Sequence, residues 1–151
     1  MRSTPMGLIG GLFGSSKRVG LFVDGPNVLR EEFDVDLDDL RDIASEEGSV
    51  AVARLYLNEH APAELVQAAE ARGFEVVTTS GDVDVKLATD AAAESAAEAI
   101  DVLVLVSRDM DFKPVLEAAS RRGLRTVAVA PGEHGRSDAL ANTAQRAVVL
   151  E

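Results

Sequence analysis

Three short acidic clusters carry most of the chemistry legible in this chain: Val23-Asp24-Gly25-Pro26-Asn27, Gly81-Asp82-Val83-Asp84-Val85 and Ser107-Arg108-Asp109-Met110-Asp111-Phe112. The first and third each follow an apolar run that reads as a buried strand, so their carboxylates are expected at one end of one sheet. Carboxylates gathered from distant sequence either repel one another or hold a cation, and a hard divalent metal takes oxygen ligands of this kind. A cation held there would activate a water and neutralise charge on the leaving oxygen of a phosphodiester. No nucleophilic side chain is needed for that reaction.

Each acidic residue also has a plainer reading. Asp24 could simply end a strand, and Asp109 or Asp111 could cap a helix that begins near Phe112. Asp82 is expected in a turn or as an N-cap rather than as a ligand. Lys86 and Asp90 stand at i, i+4 and could pair across one helical turn. Taken together the clusters favour a metal, because several like charges in one crevice are costly without one. Arg30, Lys86, Arg108, Lys113 and Arg136 are candidates for phosphate contacts, with solvated surface charge as the competing reading. Arg121, Arg122 and Arg125 flank the opposite end of a strand and are assigned to structure or solubility. His60 and His134 fall in loop-like segments away from the clusters and read as incidental. The Gly7 to Gly14 stretch follows no strand and lacks a Gly-Lys-Ser/Thr ending, so it is not a phosphate loop. With one tyrosine and no tryptophan, base stacking is not expected as the main mode of RNA binding.

The elements that must position these residues follow from hydrophobic patterning. Apolar runs at Val19 to Val23, Val50 to Tyr56, Phe74 to Thr78, Val102 to Val106, Thr126 to Ala130 and Ala147 to Leu150 are continuous, as in strands buried on both faces of a parallel sheet. Helical stripes lie between them: Leu37, Leu40, Ile43 and Ala44; Leu65, Ala68 and Ala69; Phe112, Val115, Leu116 and Ala119. An alanine-rich helix after Asp84 is expected to run to about Ile100. Gly48, Gly73 and Gly123 stand where left-handed helix caps are usual. Strands and helices therefore alternate, and right-handed crossovers predict a three-layer α/β/α domain with a mainly parallel central sheet. If the first and fourth strands are neighbours at the switch point, Asp24, Asp109 and Asp111 share a crevice, with Asp84 entering from the side.

At 151 residues and 46% hydrophobic composition the chain suits one domain. The absence of cysteine excludes disulfides, thiolate-zinc sites and a catalytic thiol. No apolar stretch is long enough for a membrane span, and a cytoplasmic protein is expected. Residues 1–17 read as a flexible arm preceding a domain at 18–151. The net charge is −11, with 26 acidic residues against 12 arginines and three lysines. That balance resembles proteins of salt-loving, halophilic organisms. At about 1 M salt the Debye length is about 3 Å, so the overall acidity counts only weakly against a nucleic-acid substrate.

Asp24-Gly25-Pro26-Asn27-Val28-Leu29-Arg30, the run from Gly81 to Asp90, and Ser107-Arg108-Asp109-Met110-Asp111-Phe112-Lys113-Pro114-Val115-Leu116 together resemble the three signature blocks of the NYN domain family. That family belongs to the PIN-like nucleases and includes the LabA/DUF88 group. The resemblance implies a PIN-like fold and a ribonuclease that uses Mg²⁺ or Mn²⁺. By position it makes Asp24, Asp84, Asp109 and Asp111 the metal-binding and catalytic carboxylates, Asn27 an orienting catalytic neighbour, and Asp90 a further acidic position. Arg108 and Met110 stand where the family pattern often has glycine. RNA is the implied partner, and a homodimer is a candidate assembly. The alternative is a module with this fold that binds nucleic acid or protein without cleaving. A receiver-type phosphorylation domain is disfavoured by Ala130-Pro131 at the end of the fifth strand, where a lysine would be wanted. An Asp-x-Asp phosphatase gives Asp24 to Asn27 no task.

Overall fold

The computed structural model describes residues 17–30, 32–133 and 136–150. The first sixteen residues, and with them nearly all of the expected arm, lie outside the described residues, as does His134. Six strands are formed: β1 (Arg18–Asp24), β2 (Ser49–Asn58), β3 (Glu75–Thr79), β4 (Val102–Val106), β5 (Arg125–Ala130) and β6 (Arg146–Val149). They make one all-parallel sheet in the order β3-β2-β1-β4-β5-β6. The order reverses between β1 and β4, so the first and fourth strands are neighbours, with Val23 opposite Val106.

The helices are α1 (Gly25–Val28), α2 (Leu37–Glu47), α3 (Ala63–Ala71), α4 (Val83–Ala96), α5 (Lys113–Arg121) and α6 (Asp138–Thr143), with a 3₁₀ turn at Met110–Phe112. Strand periodicity divides the core between the two faces of the sheet. Val19, Leu21 and Val23 of β1 pack with Leu37, Leu40 and Ala44 of α2 and Ala69 of α3. Phe22 points the other way, into a cluster with Leu87 and Ala91 of α4, Leu116 and Ala119 of α5 and Leu140 of α6. Every residue of β4 is buried, as its continuous apolar run requires of a central strand.

Two local expectations need correction. The helix after Asp84 stops at Ala96 rather than near Ile100, because Glu98 adopts φ 58° and the chain turns back, with Ala99 N donating to Glu94 O. Ile100 is freed to enter the core beside Leu87. Gly73 and Gly123 do form left-handed caps, at φ 87° each, whereas Gly48 has φ 155° and ψ −152° and lies against the Lys17 backbone.

The end of the sheet away from the acidic clusters is tied by Glu47 at the close of α2. Its carboxylate accepts from Arg125 Nε and Arg146 Nη1, each at 2.6 Å, which links α2 to β5 and β6. Burial pushes the Glu47 carboxyl up, but the hydrogen bonds from the two arginines outweigh it and hold the group below the usual range. A carboxyl depressed in the folded state lends stability above its unfolded pKa and loses it as pH falls through the folded value. Glu47→Gln is therefore expected to destabilise the protein at neutral pH by about 1 to 2 kcal/mol, discounted for the half-exposed arginines. Urea unfolding of the two proteins should show that gap closing as the pH is taken below about 4.

Candidate metal centre

Asp24 is the last residue of β1 and is only 1% exposed. The β1–β4 register sets it beside Ser107, the first residue past β4. Ser107 Oγ donates to Asp24 Oδ2 at 2.9 Å, and Asn27 Nδ2 donates to the same oxygen at 2.7 Å. Both donors converge on Oδ2, which leaves Oδ1 as the oxygen available to a ligand. Asn27 reaches back because α1 begins at once after the strand. That turn needs glycine at position 25, where a Cβ would collide with the Tyr56 carbonyl oxygen of β2.

Ser107 also accepts from Asp109 N at 3.1 Å, and Asp109 Oδ1 accepts from Asp111 N at 2.9 Å. Asp109 thus caps the 3₁₀ turn, so the capping role and membership of an acidic cluster coexist in one residue. Asp84 enters from the first turn of α4. Asp84, Asp109 and Asp111 each bring an oxygen within 4.8 Å of the others, with Asp84 and Asp109 half-buried and Asp111 exposed. Asp24 stands behind this trio. Its side chain lines the same cleft as Asp84 and Asp109, together with Pro26, Asn27, Asn58 and Asp82.

The other expected site residues are placed as follows. Asp90 is turned to structural work, accepting from the Tyr56 hydroxyl at 2.8 Å and pairing with Lys86 at 3.2 Å. Tyr56 is pushed above its usual range, first by burial and then by that bond to Asp90. Arg108 is engaged within the fold: Nε donates to the Asn27 carbonyl oxygen at 2.9 Å and the guanidinium lies 5.5 Å from the Phe33 ring centroid. It clamps the loop after β4 to α1. Arg30 pairs with Glu32, and Arg136 with Asp138 at 3.4 Å. Lys113 is exposed at the first position of α5. Asp82 holds the N-cap position of α4 but makes no capping hydrogen bond, and it lies on the rim of the cleft instead.

Three further residues stand at the site: Ser107, Asn58 and His60. Ser107 belongs to a quoted block, yet nothing in its type marked it as the link between Asp24 and Asp109. Asn58 ends β2 and lines the cleft. His60 is two residues further on, and its backbone N donates to Asn58 Oδ1 at 2.9 Å, so it stands beside the site rather than far from it. A polar residue at the end of a strand adjoining β1 is the signal that would have found Asn58.

The chain matches the family model described as NYN domain over residues 18–151. An uncharacterized protein of Methanocaldococcus jannaschii is 40% identical over 133 residues, covering 88% of this chain and 55% of that protein, so the chain spans about half the length of the curated relative it matches. A crystal structure of a protein of unknown function from Vibrio parahaemolyticus superposes with a TM-score of 0.77 at 22% identity, covering 90% of this chain and 94% of that one. At that identity the likeness concerns the fold. No helix among the described residues is long and apolar enough to cross a membrane.

The Asp24 carboxyl is held above the ordinary aspartate range, chiefly by burial, with the charges of Asp109 and Asp84 adding to the shift and the Asn27 and Ser107 hydrogen bonds opposing it. A carboxyl raised in the folded state keeps a proton that the unfolded chain has already lost. Metal-free stability therefore falls as pH rises from about 4 through the folded value. Asp24→Asn keeps the shape and removes the charge. In chelator at pH 7 it is expected to melt a few degrees above the wild type, an effect of about 1 kcal/mol, with the difference vanishing below pH 4. Calorimetry across pH checks this; a lower melting temperature for the variant at every pH would refute it.

Proposed function

Because the chain belongs to the NYN domain family, within the PIN-like nuclease superfamily, we propose that it is a metal-dependent endoribonuclease that hydrolyses RNA phosphodiester bonds at the Asp84, Asp109 and Asp111 cluster. The observation that carries this reading is the meeting of those three carboxylates at the mouth of a cleft backed by buried Asp24. Their donor chemistry fits a hard divalent ion. Three carboxylate oxygens that come within 4.8 Å of one another would offer such an ion the oxygen donors it prefers. Mg²⁺ or Mn²⁺ is the cofactor assigned here.

Asp84, Asp109 and Asp111 would hold the ion, which when bound supplies an activated water and a positive charge for the scissile phosphate and leaving oxygen. The protein residues account for the rest. Three converging carboxylates repel a phosphodiester unless they are neutralised, so substrate binding at this cleft is coupled to cation binding. Asp24 has its Oδ2 committed to Asn27 and Ser107. Its Oδ1 is suited to take up the proton released when water attacks. Asn27 fixes the rotamer of Asp24, while Arg108 fixes α1 through the Asn27 carbonyl. Asp90 supports α4 against β2 and is assigned no contact with the ion.

Asp84→Asn and Asp109→Asn should each lower RNA cleavage in Mg²⁺ or Mn²⁺ by at least about a hundredfold, the scale of losing one fixed electrostatic group. Each should also reduce the rise in melting temperature on adding metal. Asp90→Asn should keep turnover within about threefold and lose up to about 1 kcal/mol of stability with its Tyr56 hydrogen bond. Gel assays of the purified variants decide this. Cleavage that survives Asp109→Asn sinks the site assignment, and wild-type RNA binding without turnover in either metal would leave a binding module.

A further inference from the structure

Beside the acidic cleft is an open pocket of about 270 Å³, between α1 and the start of α3, walled by Pro26, Leu29, Leu57, Pro62 and Leu65 with His60 at its edge. We propose that this pocket receives one unstacked base of the RNA strand whose phosphate lies over the cleft, a proposal that rests on the nuclease reading. Pro26 and Asn58 line both hollows, so the two adjoin and one nucleotide can reach from one to the other. Their chemistries are complementary halves of a nucleotide. The cleft is lined by Asp24, Asp82, Asp84 and Asp109 and needs a cation before it can take a phosphate, whereas the pocket lining contains no carboxylate.

A nucleobase has flat apolar faces and a polar edge. Proline and leucine faces can receive the first, and the exposed His60 imidazole is a ring on which a base can stack. Asn58 Oδ1 is occupied by the His60 backbone N, which fixes the amide and leaves its Nδ2 hydrogens for the base edge. Among the described residues, the aromatic side chains Phe22, Phe33, Tyr56, Phe74 and Phe112 are all buried. A base paired within a duplex cannot enter, so the pocket selects unpaired RNA at the nucleotide next to the scissile bond.

The test uses the full chain and a set of single-stranded RNAs of one sequence, each with a single abasic nucleotide at a successive position. Cleavage is followed in Mn²⁺, and binding by fluorescence anisotropy in Ca²⁺. One position flanking the scissile bond is expected to lose about tenfold in kcat/KM, mainly through KM, with neighbouring positions changed little. His60→Ala and Leu65→Ser should each impose a loss of similar size on intact RNA. His60 is exposed, so its variant keeps the test sound if Leu65→Ser folds poorly. The loss from either variant should not add to the loss from the abasic position. Equal loss at every abasic position, or fully additive losses, would overturn the pocket. Turnover without position dependence removes the pocket and keeps the nuclease; position-dependent binding without turnover does the reverse.

Discussion

The hydrogen bond from Ser107 Oγ to Asp24 Oδ2 crosses the seam between β1 and β4, and the acidic site is organised around it. A parallel sheet brings strand ends from distant parts of a chain to one edge, and a reversal of strand order leaves a crevice at that edge. Here the reversal falls at this seam. The same serine accepts from Asp109 N, so one buried hydroxyl orients the carboxylate of β1 and the loop that carries two members of the trio. Asn27 completes the hold on Asp24 from the other side, and its own carbonyl is tied to Arg108. The placement of Asp24 and Asp109 thus depends on a short chain of donors, Asn27, Ser107 and Arg108.

Holding those groups together is costly, and the remainder of the fold must offset it. Burying a large aliphatic or aromatic side chain contributes about 1.5 to 3 kcal/mol. Both faces of the sheet are packed with such groups: Leu21, Leu40 and Leu55 on one side, Phe22, Leu87, Leu105 and Leu116 on the other. Net stability is nevertheless a small difference between large terms, so a buried and repelled carboxylate is a sizeable charge on it. At the far end Glu47 joins Arg125 and Arg146, whereas the cleft gathers three carboxylates. The two ends of the sheet differ in what their charges accomplish.

Much of this was legible in the sequence because the signals were local. Continuous valine and leucine runs mark strands that see no water on either face, and the six runs from Val19 to Leu150 correspond to the six strands with shifts of one or two residues at most ends. The convergence of Asp84, Asp109 and Asp111 follows from their positions just past strands and at a helix start. What escaped was conformational or tertiary. Nothing in Glu98 announces a left-handed residue, so α4 was expected to be longer. Arg108 looked like a phosphate contact because Phe33 and the Asn27 carbonyl, its actual neighbours, are brought near only by folding. Asp90 lay in an acidic-looking motif while its partner Tyr56 sits 34 residues away on β2.

The seam also dictates when the site can exist. Asp24 and Ser107 are 83 residues apart, and β1 finds its second neighbour only when β4 has been made. Contacts of such sequence separation form late and slowly, because the loop between them must be closed first. A growing or truncated chain that ends before Ser107 has Asp24 without its serine donor and lacks both Asp109 and Asp111. Half-made molecules therefore cannot gather the acidic trio, and the centre assembles only in a chain that extends past β4.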